Sequence, residues 1–524
     1  MTDSPPFQKM TAAFVDLLDG YWQYVQQRCP AIEPEQITAV MAAAATTHWD
    51  EPETAIELNN IAVLALIEAE QCDDPTLRSM QLDLAIAALE QGDAIGHPLC
   101  TAHLAVVHRL TGDLQSASQV AFNHLINSLQ PTFTQSPQPL GLVYLPPLPA
   151  ASDLLQHLLQ APNGNIQAQR LLVEVLTRSQ LAFYNHSGLR FLQLAAQLMP
   201  ASFDVQLRLG LSKINHHHWE GILHLQQAAQ LAPDHASILQ ALWLMYQEQS
   251  EIAEFWRQTA RSRSNGGLEW HWADAVDSGL TYVPFDDLLL AIEPSFDSKV
   301  TSVLLAEGDW FEAELEFWRA TLQPGMTVID VGANAGVYTF SAAQQVGLTG
   351  RVLAIEPFST CVQLLKETCR VNQLSQVTIC AGAASDRNGE AKLALHMASE
   401  LNELVTEENS DRPTETISCF TLDSLIEQHQ LERLDWLKID AERHEMQVLQ
   451  GSDRLLQQFA PAILYENVVG AGESNLPVAE YLRSRGYRLF RYQPFLQNLL
   501  PLTDPADFAA CLNIIALPPE RREE

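Results

Sequence analysis

Cations are scarce in this sequence. Its 524 residues carry 30 Lys and Arg against 64 Asp and Glu, a formal net charge of −34. Nucleic acids and anionic membranes are gripped by basic faces, so this balance argues against both as partners. No apolar run reaches the roughly 18 residues that a membrane span needs. The start, Met1-Thr-Asp-Ser-Pro-Pro6, is polar and acidic and does not read as a signal peptide. Paired cysteines are missing too. Cys29, Cys72, Cys100, Cys361, Cys369, Cys380, Cys419 and Cys511 are scattered, and none forms a Cys-x-x-Cys. Neither a disulfide framework nor a zinc site is expected, and a reducing compartment, the cytoplasm, is the expected location. The apolar share, 47%, is enough to fold, and the length predicts two or three domains rather than one core.

From Phe14 to about Trp256 the chain is rich in Leu, Ala and Gln, with apolar residues three and four apart, which predicts a series of amphipathic helices. A phrase repeats: Leu192-Gln-Leu-Ala-Ala-Gln-Leu-Met-Pro200 returns 33 residues later as Leu225-Gln-Gln-Ala-Ala-Gln-Leu-Ala-Pro233. That offset is close to the tetratricopeptide period of about 34. Leu104 to Leu125, turning at Thr111-Gly-Asp113, looks like another such unit. An all-α helical-repeat region resembling tetratricopeptide repeats is therefore expected. An ordinary helical bundle is the plainer alternative. Six prolines, Pro131, Pro137, Pro139, Pro146, Pro147 and Pro149, exclude helix from 131–151. This segment reads as a connector, with a recognition segment as the alternative. The expected layout is a helical block at 1–130, the connector at 131–151, helical repeats at 152–262, an approach segment at 263–322, an α/β domain at 323–515 and a charged tail at 516–524. Within the approach segment, Thr281–Pro284 and Val300–Leu305 are predicted as short strands and Glu312–Leu322 as a helix. His216-His-His218 falls at a turn between helices. Adjacent histidines point apart, so solvent exposure is expected there rather than a shared ion. Trp270, Trp272, Trp310 and Phe311 are expected to close the edge of the α/β domain, with sugar stacking as the alternative.

The stretch that carries chemistry is Val328-Ile-Asp-Val-Gly-Ala-Asn-Ala-Gly336. An apolar run ends in an acid and two glycines, and a helical pattern follows. The next apolar run, Arg351-Val-Leu-Ala-Ile355, ends in Glu356. A strand, tight turn and helix start with an acid at the next strand tip suit a nucleoside. Gly332 and Gly336 let backbone approach the ligand, and the helix start supplies free N–H groups. Glu356 is placed to accept from two ribose hydroxyls. The spacing is Gly332-x-Asn334-x-Gly336, not Gly-x-Gly-x-x-Gly, and Asp330 would repel a pyrophosphate. These features disfavour a nicotinamide-dependent oxidoreductase and favour a cationic amino-acid tail, that of S-adenosylmethionine.

The stretch from about Trp310 to Tyr487 resembles the FkbM family of S-adenosylmethionine-dependent methyltransferases. The matching pieces are Pro324-Gly-Met-Thr-Val-Ile-Asp-Val-Gly-Ala-Asn334, Glu356-Pro357, Thr421-Leu-Asp-Ser-Leu425, Leu434-Asp-Trp-Leu-Lys-Ile-Asp-Ala-Glu442 with Glu445, and Tyr465-Glu466. The resemblance implies a class I methyltransferase fold with a seven-stranded sheet, and methyl transfer to a hydroxyl. A sugar or glycan hydroxyl, or a related small molecule, is the leading acceptor. It also implies room for adenine at Ala381-Gly-Ala-Ala-Ser-Asp386, with Asp386 reaching the adenine amino group. The helical region would then recruit a protein partner or present the acceptor carrier.

Methyl transfer requires an acceptor held in line with the sulfonium and stripped of its proton. The residues expected to do this follow the apolar run Leu434–Ile439: Asp440, Glu442, His444 and Glu445. Asp440 lies at the carboxyl edge of the sheet. His444 is a general-base candidate by its ordinary pKa, with an exposed loop residue as the alternative. Asp440, Glu442 and Glu445 together would suit a divalent cation, while Glu445 alone also suits a helix start. Lys392–Leu395 and Glu415–Phe420 are predicted as an inserted strand pair, with the acidic loop near 400–412 as a lid or a plain surface loop. One residue departs from the family pattern: Arg443 stands where Gly is usual. It would be strained there, or would reach the acceptor site, where it would suit an anionic acceptor. It is also the main support for the alternative that the domain is a weak or inactive scaffold for protein interaction.

Overall fold

The computed structural model describes residues 18–48, 52–130, 136–147, 151–274, 279–396, 398–405, 412–469, 473–509 and 511–519. The chain divides into two compact units, Met1–Pro200 with Pro494–Asn498, and Ala201–Gln493 with Leu499–Glu524.

The regular elements described in the first 200 residues are helical. Their starts are set by short polar side chains that cap free amides. Asp74 accepts from Thr76 and Leu77, Asp113 from Ser116, and Asn163 from Ile166. The turn expected at Thr111-Gly-Asp113 joins helices Pro98–Leu110 and Leu114–Ser128, with Gly112 at φ 88° between them. The described part of the proline-rich segment, 136–147, forms neither helix nor strand, and its residues Leu142–Leu145 are buried. Pro131 and Pro149 lie outside the described residues.

The second unit begins with helices Phe203–Asn215, Gly221–Leu231, Ala236–Met245 and Ser250–Arg263. The repeated phrase sits on matching helices, Leu189–Leu198 in the first unit and Gly221–Leu231 in this one. His216–His218 is the turn after Asn215, with His217 at φ 60°. Trp270 and Trp272 are buried. Thr281–Phe285 pairs antiparallel with Leu288–Ile292. Val300–Leu305, expected as a strand, is instead part of the helix Lys299–Glu307. Its fully buried run, Thr301 and Ser302 included, has no exposed face to reveal a period, and Gly308 at φ 74° ends it as helix stops do. The helix expected over Glu312–Leu322 is Ala313–Thr321.

Among the described residues the main sheet has eight strands, not seven: β1 Thr327–Val331, β2 Arg351–Glu356, β3 Val377–Ala381, β4 Trp436–Ile439, β5 Ala462–Glu466, β6 Arg488–Gln493, β7 Asn498–Pro501 and β8 Asn513–Leu517. Their order is β7-β6-β8-β5-β4-β1-β2-β3. The eighth is β7, a four-residue edge strand following the turn at Gln497, φ 48°, too short to show an alternating pattern. Strands β1 to β5 run parallel, and β8 is antiparallel to β5 and β6. The central strands are apolar on both faces, as a parallel sheet covered by helices requires. Ile329, Leu353, Leu437 and Ile463 are fully buried, each contributing roughly 1.5–3 kcal/mol. The reversal of strand order puts the carboxyl ends of β1, β2 and β4 side by side. A second sheet joins Ala383–Ala384, Thr414–Phe420, Gly389–Ala394 and Glu403–Val405. The expected inserted pair is found there, with Lys392 opposite Thr416. In the acidic loop Glu403–Val405 is a strand, and 406–411 lie outside the described residues. Among the described residues no helix is long and apolar enough to cross a membrane.

Candidate active site

A cleft opens where β1, β2 and β4 end. Its floor follows from strand register. Asp330 on β1 lies directly opposite Lys438 on β4, so both side chains emerge on one face. Asp330 is fully buried. Its Oδ2 accepts from Thr339 Oγ1 at 2.6 Å, and its Oδ1, 3.9 Å from Lys438 Nζ, has no hydrogen-bond partner. Burial pushes its pKa up, and Lys438 opposes that. Lys438 Nζ bonds Asp440 Oδ2 at 2.9 Å and sits 4.6 Å from the Tyr338 ring centre. These anions hold Lys438 protonated despite burial.

The turn after β1 is left-handed at three places: Gly332 at φ 75°, Asn334 at 48° and Gly336 at 96°. Gly332 is required by contact as well as by φ, because a Cβ there would collide with the Asp440 carbonyl oxygen. The amides of Gly332 and Ala333 both donate to Ile355 O at 3.0 Å. Asn334 N–H donates to Glu356 Oε2 at 2.8 Å, and Phe358 N–H to Glu356 Oε1 at 2.8 Å. Glu356 thus holds the turn while each oxygen keeps a lone pair. Burial, helped by Asp330 and Asp440, raises its pKa to about 7 against those two N–H groups.

Asp440, Glu442 and His444 line the cleft, and Asp440 N–H donates to Val331 O. His444 is half-buried. Its Nε2 is 2.9 Å from Ser385 Oγ, and burial lowers its pKa, with Asp386 opposing. Glu445 is turned away from the cleft. It accepts from the amides of Ala441 and Arg443 and from Asn475 Nδ2. Asp386 is exposed and outside the cleft lining, where Ala383 and Ala384 are found.

Arg443 has φ 73°, the conformation that its glycine alternative suits. Its guanidinium lies 3.6 Å from Glu403, with 57% of the side chain exposed, and it is not part of the lining.

Three further side chains belong to the site. Glu312 lines the cleft and accepts from Trp310 Nε1, Tyr338 Oη and Asn513 Nδ2 at 3.0, 2.6 and 2.9 Å. Lys438 is within the motif quoted above, but its role needs the β1–β4 register. Glu466 joins Asp440 and Glu442 in a group whose carboxylate oxygens lie within 4.8 Å of one another. Burial and those neighbours raise its pKa to about 10. Trp310, offered as an edge residue or a stacking platform, is in the cleft wall.

Residues 330–489 match the model of the methyltransferase FkbM domain. That segment of the chain is similar to the FkbM methyltransferase domain. Among solved structures, the methyltransferase FkbM from Methylobacillus flagellatus is 16% identical, with a TM-score of 0.26. The match covers 41% of this chain and 52% of that one, so this chain spans about half of that protein's length. An S-adenosylmethionine-dependent O-methyltransferase from Thermotoga maritima is 16% identical, TM-score 0.24, covering 41% and 68%. An S-adenosylmethionine-dependent methyltransferase from Aquifex aeolicus is 17% identical, TM-score 0.23, covering 39% and 89%. No curated protein matches the chain.

Proposed function

We propose that the FkbM-like domain transfers a methyl group from S-adenosylmethionine to a hydroxyl oxygen on a sugar, glycan or related small molecule, and that the helical region recruits the acceptor carrier or a protein partner. The observation that carries this reading is the pairing of the Gly332–Gly336 turn with Glu356 beside the unpartnered Asp330 Oδ1. These residues fit the cofactor. Glu356 has spare lone pairs for two ribose hydroxyls. The absence of a Cβ at Gly332 lets the Asp440 carbonyl pack against the turn, which holds the ends of β1 and β4 together at the cleft. Asp330, Glu312 and Asp440 give the cleft an anionic wall for a ligand with sulfonium and ammonium charge. When bound, the cofactor supplies a carbon already activated for displacement.

The protein's own work is then to orient the acceptor and remove its proton. His444 is held neutral near pH 7 by burial and aimed by Ser385, which suits a general base on the cleft wall. Asp440, fixed by Lys438, is positioned to orient the hydroxyl. The carboxylates of Asp440, Glu442 and Glu466 are spaced as a divalent cation would need, with Glu466 in place of the expected Glu445. Chelation with EDTA separates the two routes. Lost activity assigns the acids to a cation, and unchanged activity leaves proton removal to His444.

Calorimetric titration with S-adenosylhomocysteine tests the whole reading. Micromolar binding that Glu356→Ala abolishes is the expected result, followed by screening hydroxylated acceptors for a mass gain of one methyl group. No binding by the unaltered chain overturns it.

A further inference from the structure

In the first unit, residues 141–145 have no secondary structure of their own, yet their backbone is paired as if it were a central strand. All five N–H groups donate to side chains: Gly141 to Gln167 Oε1 at 3.0 Å, Leu142 to Asn60 Oδ1 at 2.9 Å, Val143 to Tyr21 Oη at 3.1 Å, Tyr144 to His103 Nε2 at 3.0 Å and Leu145 to Tyr24 Oη at 2.7 Å. Four carbonyls accept from the same set of helices: Gly141 from Gln167 Nε2, Leu142 from Asn59 Nδ2, Val143 from Tyr21 Oη and Leu145 from Tyr24 Oη. Val143 and Leu145 use the helix at 18–28. Leu142 and Tyr144 use Ala55–Gln71 and Pro98–Leu110. Alternate residues therefore bond to different helices, as the alternating N–H and C=O directions of an extended chain allow.

Structural packing alone does not require this. A buried connector needs its polar groups satisfied, but helix caps, turns or a neighbouring strand usually do that. Here six side chains on four helices are devoted to one short piece of backbone, and three of them, Gln167, Tyr21 and Tyr24, bond both the N–H and the C=O of a single residue. Recognition of that kind reads an extended backbone rather than a sequence. Two positions are selective. At Gly141 a Cβ would lie 2.6 Å from Ile56 Cδ1 and 2.8 Å from Leu99 Cδ2. At Tyr144 the hydroxyl donates to Glu70 Oε2 at 2.8 Å, and the ring stacks on Tyr24 with centres 5.9 Å apart.

We propose that the helical unit is a receptor for an extended apolar peptide of the form Gly-x-x-Tyr, and that residues 141–145 are a tethered stand-in which a partner strand displaces. Being in the same chain, the stand-in acts at an effective concentration on the order of millimolar. The groove is therefore filled until the strap is loosened or a partner outcompetes it.

The test uses the full chain and a fluorescent peptide with the sequence of residues 138–147. The unaltered chain is expected to bind it weakly. Gly141→Ala, which crowds the strap's entry, is expected to bind it at least tenfold more tightly, seen as a rise in anisotropy. The same peptide N-methylated at its Val and third Leu amides, positions 143 and 145, should not bind, since those two N–H groups donate to the tyrosine hydroxyls. A second form carries protease sites inserted within 131–135 and 148–150. After cleavage at both, labelled peptide should exchange for the cut segment on gel filtration. If Gly141→Ala is folded by circular dichroism and binds no peptide, the proposal is overturned. If that variant does not fold, the cleaved chain decides: a cut segment that stays bound against excess labelled peptide makes 141–145 a structural strap only.

Discussion

Two turns at neighbouring strand ends bend through the same left-handed backbone and solve the problem differently. After β1 the positive φ angles fall on Gly332, Asn334 and Gly336. After β4 they fall on Glu442 at 48° and Arg443 at 73°. In the first turn neighbours press on the chain. The Asp440 carbonyl occupies the space of a Gly332 side chain, and Phe340 and Leu365 occupy that of Gly336. In the second turn the Arg443 side chain is 57% exposed and leaves for solvent and Glu403. Glycine is obligatory where steric contact and positive φ coincide. Where φ alone is demanding, a larger residue persists at a cost of about 1 kcal/mol.

The largest test of that difference is Gly332→Ala. It adds a φ penalty and a collision with fixed backbone, so we expect stability to fall by roughly 3 kcal/mol and cofactor affinity by about 100-fold or more. Thermal melting and calorimetry read both, and near-normal binding would show that the contact at Gly332 is not decisive. Next is His444→Ala, from the second turn. If His444 takes the acceptor proton, kcat falls about 100-fold or more while S-adenosylhomocysteine affinity stays unchanged. An equal loss in binding would make His444 a structural partner of Ser385 instead.

Glu356→Gln has a smaller effect, about tenfold on cofactor affinity, because one charged acceptor becomes neutral. It also has a pH signature. The folded pKa of Glu356 is raised to about 7, above the unfolded value of about 4.3. Its protonated form therefore contributes stability below about pH 4.3, and that contribution is lost as pH rises through about 7. The ligand-free protein should melt lower at pH 8 than at pH 6 by more than the Gln variant does. Cofactor affinity should rise over the same interval only in the unaltered chain. Parallel melting curves for the two proteins would rule out Glu356 as the titrating group.

The β1 turn was readable in the sequence because its demands are local: glycines at positive φ, an acid on one strand and an acid at the tip of the next. The rest of the site depends on pairing that sequence order hides. Lys438 gains a role only because register sets it opposite Asp330. Glu312 is held by Asn513, 201 residues away. Glu466 meets Asp440 and Glu442 only because β5 follows β4 in the sheet. Glu445, which looked like a metal ligand or a catalytic acid, closes its own loop by accepting the amides of Ala441 and Arg443. The same limit applied to the fold. The helical repeat phrase and the parallel strands were legible as periodicity. The buried run at 300–305 carried no period, and β7 was too short to show one. Residues 141–145 looked like linker because their partners lie as far off as Tyr21, 122 residues away.

Arg443→Gly is the smallest and most diagnostic change. Two terms oppose each other. Glycine relieves a left-handed arginine, worth about 1 kcal/mol. It also removes an ion pair with Glu403 that is mostly exposed, 3.6 Å long and shared with Arg412 and His396, so worth about 0–1 kcal/mol. The net expectation is a gain of about 0.5 kcal/mol, a rise of about 1–2 °C in melting temperature. Cofactor affinity and kcat should stay within about twofold, because Arg443 does not line the cleft. A loss of stability would mean that the Glu403 pair anchors the four-stranded sheet beside the cleft. An increase in KM for the acceptor alone would mean that Arg443 reaches it, and the second turn would then have kept its arginine for binding rather than for want of steric pressure.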